Sequence, residues 1–334
     1  MSETFPRPLR PLEVDMWAYP LRAGIADALR TLGTASEHRL AASPVLAVIG
    51  GWVAVDLDLL GMAPTNHRIL RALDPRGPAH RLGAAWRVGK LRASLPELAG
   101  EAVRRVEDHL RAVPPLRELS DTQLAGLLRN ATTELVALHS HEVVAGMLVR
   151  PTDEDEGSTT AASLALAVLA SGRREGRTDA EIVARDPVAL ALTPPRLGPP
   201  APLPPTTAGV QAGGNVQDLV PREALRLRAR WVQELTGRAG HELGVRLAAA
   251  GRLPDPEALA HLGLDEVAAV VAGGAVPQDF ADRAGRRASP PLPATFRLTK
   301  RGEVVPVVDR HAQHGGRAAG GGRGVGRVRH WDSG

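Results

Sequence analysis

The stretch SDTQLAGLLRNATTELVALHSHEVVAGML, Ser120 to Leu148, decides the fold class. Leu124, Leu128, Ala131, Leu135 and Leu138 recur at steps of three or four, so they share one face of an α-helix. Ser120 precedes Gln123 by three residues, the spacing at which two side chains satisfy each other's free backbone N–H groups at a helix start. Pro114-Pro115 ends whatever comes before.

Outward from this helix the same period returns. Trp17, Leu21, Ile25, Leu29 and Leu32 mark a helix from about Val14 to Leu32, and a shorter one covers Ser36 to Ala42. Asn66 to Ala112 is helical in pattern, with breaks expected near Pro75, Pro78 and Pro96. After the acidic turn 153–157 an Ala/Leu helix covers about 159–170, and Thr178 with Glu181 opens another. Pro221, suited to a first helical turn, begins a helix to Gly251 whose apolar face includes Leu225, Trp231, Val232, Leu235 and Leu243. A short helix spans Asp265 to Val271, and the chain after Gly273 reads as loop.

One segment breaks the helical period. In Pro44 to Leu60 two partly β-branched apolar runs flank Gly50-Gly51, a hairpin signature over about 45–58. Val53, Val55 and Leu57 fall on one strand face; Asp56 and Asp58 fall on the other, where solvent suits them. The expected fold is therefore mainly α: an irregular helical domain with one small hairpin and a disordered Gly/Arg-rich C-terminal tail. Seven of the twelve residues from Pro194 to Pro205 are proline, which blocks helix. That divides the chain into a first helical part, 1–193, an exposed mobile loop, 194–218, a second helical part, 219–300, and a tail, 301–334.

Composition removes whole classes of chemistry. The chain has no Cys, so disulfides and thiolate metal sites are excluded. Aromatic residues make up only 3%, which leaves Leu, Val and Ala to build the core. The net charge of +4 conceals a near-neutral body and a basic tail, since eleven basic and three acidic residues follow from Arg283 onward. Only Phe296 and Trp331 interleave with those arginines, a pattern that argues against nucleic-acid binding. No apolar run nears the ~20 residues of a membrane span and no leader is visible, so the expected location is cytoplasmic.

The tightest titratable cluster is His139-Ser-His141-Glu142. His139 and Glu142 lie three apart and share a helix face, while the two His are at i and i+2, the wrong spacing for a zinc helix. The pair reads either as a polar patch beside a core helix or as the lining of a substrate cavity. His139, Glu142 and Trp231 are the candidate substrate-binding residues; no catalytic, cofactor or metal residue is assigned. Gly320 to Gly326 lacks the Lys-Ser/Thr of a nucleotide loop and its strand-then-helix setting.

Several segments together resemble the PEP-utilising phosphotransferases, a family that includes phosphoenolpyruvate-synthase-like and rifampicin-phosphotransferase-like proteins. They are ETFPRPLRPLEVDMW (3–17), GGWVAVDLDLL (50–60, with Ala54 where the family has Tyr) and LPDPEALAHLGLDEV (253–267, with Glu266 at the acidic position). LPATFRLTKRGEVVPV (292–307) and GGRAAGGGRGVGRVRH (315–330) complete the set in the family's order. The resemblance implies the central helical domain, followed by the start of the swivelling phosphohistidine domain. It implies ATP and Mg²⁺ for the complete machine, none of it held by this chain, and separate ATP-grasp and phosphohistidine domains or subunits as partners. His330 lacks the phospho-acceptor context, so the expected chain is the acceptor-binding side, not competent for phosphoryl transfer alone. The acceptor stays open among water, pyruvate, a rifamycin-like drug and others. The competing expectation is a non-catalytic helical scaffold or binding module with a basic tail.

Overall fold

A computed structural model describes residues 4–57, 59, 77–148, 159–199, 201–205, 214–286, 289–299 and 301–307, with the backbone alone at Ala42 and 77–88. Asp58, residues 66–76, the acidic turn 153–157, the segment 206–213 and the tail from 308, with its Gly-rich run and His330, lie outside the described residues. The chain divides into two units, Met1–Ser289 and Pro290–Gly334.

The first unit is helical. Its opening helix, α1, combines Pro11–Glu13, a π turn over Val14–Ala18, and Tyr19–Thr31. It starts three residues before the expected Val14, because Pro11 sits at its first position and the Glu13 carboxylate accepts the Arg10 N–H at 2.9 Å. The wide turn has a local cause. Pro20 offers no N–H to the carbonyl four residues back, and its ring would crowd that carbonyl in a regular α-helix.

α2 (Glu37–Ala42) leads into β1 (Leu46–Ile49) and β2 (Trp52–Val55), antiparallel with Ile49 opposite Trp52. Gly50 and Gly51 turn the hairpin at φ +57° and +86°, which a side chain would resist. α3 (Gly77–Ala112) corrects the reading at two prolines. Pro78 falls in its first turn, and Pro96 lies inside it without ending it. The apolar face carries straight through, with Leu95, Ala99, Ala102 and Val106 all buried, so packing holds the helix across the missing bond.

α4 (Asp121–Leu148) is the central helix, and it begins with the reciprocal Ser120–Gln123 bonds at 3.2 and 2.8 Å. Leu124, Leu128, Ala131, Leu135 and Leu138 are all buried. Its broadest packing is against α1 and the long helix Pro221–Ala249, α7. α4 and α7 are antiparallel: Arg222 lies beside Gly146 at one end, and at the other the Arg246 guanidinium donates to the Leu116, Arg117 and Leu119 carbonyls and to Asp121.

α5 (Ala161–Arg174), α6 (Asp179–Arg185) and the 3-10 turn Pro187–Leu192 form a smaller layer on the first half of α7. Ala161, Leu164, Val188, Leu219 and Leu227 are buried together there. The Thr178–Glu181 capping pair is present, with Glu181 accepting the Thr178 N–H at 2.7 Å. After a 3-10 turn at Pro256–His261 come α8 (Leu264–Val271) and α9 (Phe280–Gly285), the latter in a stretch that reads as loop.

The proline-rich stretch is packed in part: Pro195, Leu197 and Leu203 are buried, which corrects the expectation of exposure at those residues, while Pro199, Pro202, Pro205, Gly214, Asn215, Gln217 and Asp218 are exposed. The Leu197 N–H points to Glu13 at 3.5 Å and the Leu203 N–H donates to Asp179 at 2.8 Å. Arg230 donates to the Thr193 and Pro194 carbonyls. Proline forbids helix, but an extended strap can still bury the leucines between its prolines.

The second unit holds a hairpin, β3 (Phe296–Leu298) with β4 (Val304–Pro306), which the sequence reading did not foresee. Gly302, at φ +80°, closes its turn and donates to the Thr299 carbonyl at 2.9 Å. Among the described residues no helix is long and apolar enough to cross a membrane.

Candidate functional site

His139 and Glu142 meet as their spacing implies: His139 Nδ1 donates to Glu142 Oε2 at 3.1 Å. Their setting is a seam between α1 and α4. His139 is 6% exposed, and its Nε2 is buried with no hydrogen-bond partner among the described residues. Gly24 is what lets the helices approach, since a Cβ there would lie 2.6 Å from His139 Cβ and 2.8 Å from the Val136 carbonyl oxygen. Beside it the Ser140 hydroxyl donates to Asp27 at 2.7 Å. Trp231 belongs elsewhere, packed on the α5 layer, with its indole N–H on the Pro187 carbonyl and the Arg228 guanidinium over its ring at 4.8 Å. Neither cavity described below is lined by any of these three residues.

A cleft of about 340 Å³ opens between α3 and α4. Ala102, Val106, Ala137 and Leu138 form its floor; Arg105, His109, Asn130, Thr133 and Glu134 stand around it. The size falls at the low end of the range for small-molecule sites, and an apolar floor with a few polar groups at the edge is their usual make-up. His109 Nδ1 donates to Glu134 Oε2 at 2.8 Å, so a carboxylate from one helix fixes a ring from the other. Such a bond fixes the tautomer of the ring, with the proton on Nδ1. The sequence reading missed all five polar groups. His109 and Glu134 are 25 residues apart, with no local spacing signal to link them.

The remaining buried charges serve packing. Glu13, fully buried, accepts from both Arg7 guanidinium N–H groups at 2.9 and 2.6 Å. Burial alone would raise its pKa, but the Arg7 and Arg10 bonds outweigh this and hold the carboxyl below the usual glutamate range. Asp15 is pushed up, mainly by burial, although it accepts the Leu264 N–H at 2.8 Å. Arg228, 3% exposed, pairs with Glu107 of α3. A second cavity, beside Arg10, Leu197, His241 and Glu257, is only about 10 Å³, enough for one water and too small for a ligand.

Among the described residues no three His, Asp or Glu side chains converge on a metal-sized point. Comparison with protein-family models, with curated proteins and with solved structures returns no match to this chain in any of the three.

Proposed function

We propose that this chain is the acceptor-binding helical domain of a PEP-utilising phosphotransferase, and that the cleft between α3 and α4 takes the small-molecule acceptor. The observation that carries the reading is the cleft itself: about 340 Å³, apolar below, with the His109–Glu134 pair beside it. Phosphoryl transfer needs a positioned acceptor and a group near its reacting atom. An imidazole oriented by a carboxylate is suited to that place. The motif order from Glu3 to His330 supplies the family, and with it the ATP-grasp and phosphohistidine partners and a cytoplasmic setting. ATP and Mg²⁺ would belong to those partners.

The test mixes the chain with a phosphohistidine domain carrying labelled phosphate and a panel of small alcohols and acids. The expected result is label on a small molecule only when the chain is present, and its loss in Thr133→Trp, which fills the cleft from its exposed edge. If transfer is independent of the chain, or insensitive to that substitution, the reading fails, and a non-catalytic binding module becomes the better description.

A further inference from the structure

The charges around the cleft are unevenly spent. Glu134 is engaged by His109 at 2.8 Å. Arg105, one turn before His109 on α3, has no ion-pair or hydrogen-bond partner among the described residues, and neither do the side chains of Asn130 and Thr133 across the cleft. Three sets of N–H and O–H donors, one of them cationic, thus surround an apolar floor, and the carboxylate among them accepts from His109. A guanidinium fork matches a carboxylate better than a neutral head, and charge-assisted bonds of this kind are the stronger ones.

From this charge complementarity we infer that the ligand of the cleft is a monocarboxylate with an apolar body, its carboxylate on Arg105 with help from Asn130 and Thr133. The body lies along Ala102, Val106 and Ala137. The volume sets the size. About 340 Å³ lies at the low end of the range for small-molecule sites, which suits a compact acid such as a medium-chain fatty acid or a substituted aryl acid. The inference rests on reading the cleft as a ligand site, and adds the chemical class.

Octanoate is the probe, with octanol as the same tail without the charge. Binding to the full chain is followed by NMR shift titration of residues 102–109 and 130–138. Octanoate is expected to bind more tightly than octanol. Arg105→Gln, an exposed position, should weaken octanoate about tenfold and leave octanol unchanged. Thr133→Trp should abolish both. If octanol binds as tightly as octanoate, or Arg105→Gln moves neither, while Thr133→Trp still blocks both, the carboxylate assignment is wrong and the cleft survives as a site. If neither probe binds, or Thr133→Trp leaves binding intact, the cleft is no ligand site and both readings fall together.

Discussion

Gly24 offers a sharp test of how α1 and α4 are joined. Replacing glycine by alanine inside an exposed helix stabilises it by roughly 0.5–1 kcal/mol, because the unfolded chain loses freedom. At Gly24 that gain meets an obstacle. The new methyl would sit 2.6 Å from His139 Cβ, 2.8 Å from the Val136 oxygen and 2.9 Å from the Ser140 nitrogen. Two of these three atoms belong to the α4 backbone, which cannot rotate aside, so the helices must separate. Overpacking of this kind costs about 1–3 kcal/mol. The net effect of Gly24→Ala is therefore a loss of up to about 2.5 kcal/mol, about 1 at the middle of the two ranges. Gly126, in α4, is the control, since a Cβ there meets nothing within 4 Å. Gly126→Ala should gain about 0.5–1 kcal/mol. Thermal melts of the two variants should move in opposite directions, by roughly 2–4 °C per kcal/mol. A Gly24→Ala protein at least as stable as wild type would refute the close approach, and with it the placement of His139 in a closed seam.

Other outcomes follow from the same packing. Glu13 has a folded pKa below its ordinary value of 4.5, so its ion pair adds stability above that value and loses it as pH falls through the folded pKa. The stability gap between wild type and Glu13→Gln, measured by urea melts, should be constant from pH 6 to 8 and shrink below about pH 4.5; a gap that widens on acidification contradicts the pairing. Thr236→Val strips the buried Trp17 indole N–H of its acceptor at 3.1 Å and should cost about 1–3 kcal/mol, read by denaturant titration. Trypsin should cut slowly at Arg196, because Leu197 behind it is buried and Arg196 lies against Gly237 of α7; rapid cleavage there would show the strap undocked.

Local signals in the sequence carried the helices well, and they failed where a distant partner decides. Ser120–Gln123, Thr178–Glu181 and Pro221 each act within one turn, and each marks a real helix start. Pro96 reads as a break because proline's cost is local, whereas the burial that overrides it comes from the far side of α3. The 194–205 strap reads as exposed for the same reason: its leucines are buried by residues far away in the chain. The hairpin at 296–306 has strands of three residues, too short for alternation to stand out. At the site, the His139–Glu142 bond was legible from an i, i+3 spacing, but its burial against Gly24 was not. The cleft left no trace, because it exists only where α3 and α4 face each other.

The π turn in α1 has a consequence for how this sequence can change over time. One extra residue in a turn rotates everything beyond it by about 100°. Up to and within it, Glu13, Asp15 and Trp17 answer to Leu197, Leu264 and Thr236. Past it, Gly24 and Asp27 answer to the stretch 136–140 of α4. A single helix thus serves two sets of neighbours, and the two halves are released from sharing one face. Among descendants of this chain, substitutions before Ala18 should co-vary with 197, 236 and 264, and those after it with 136–140.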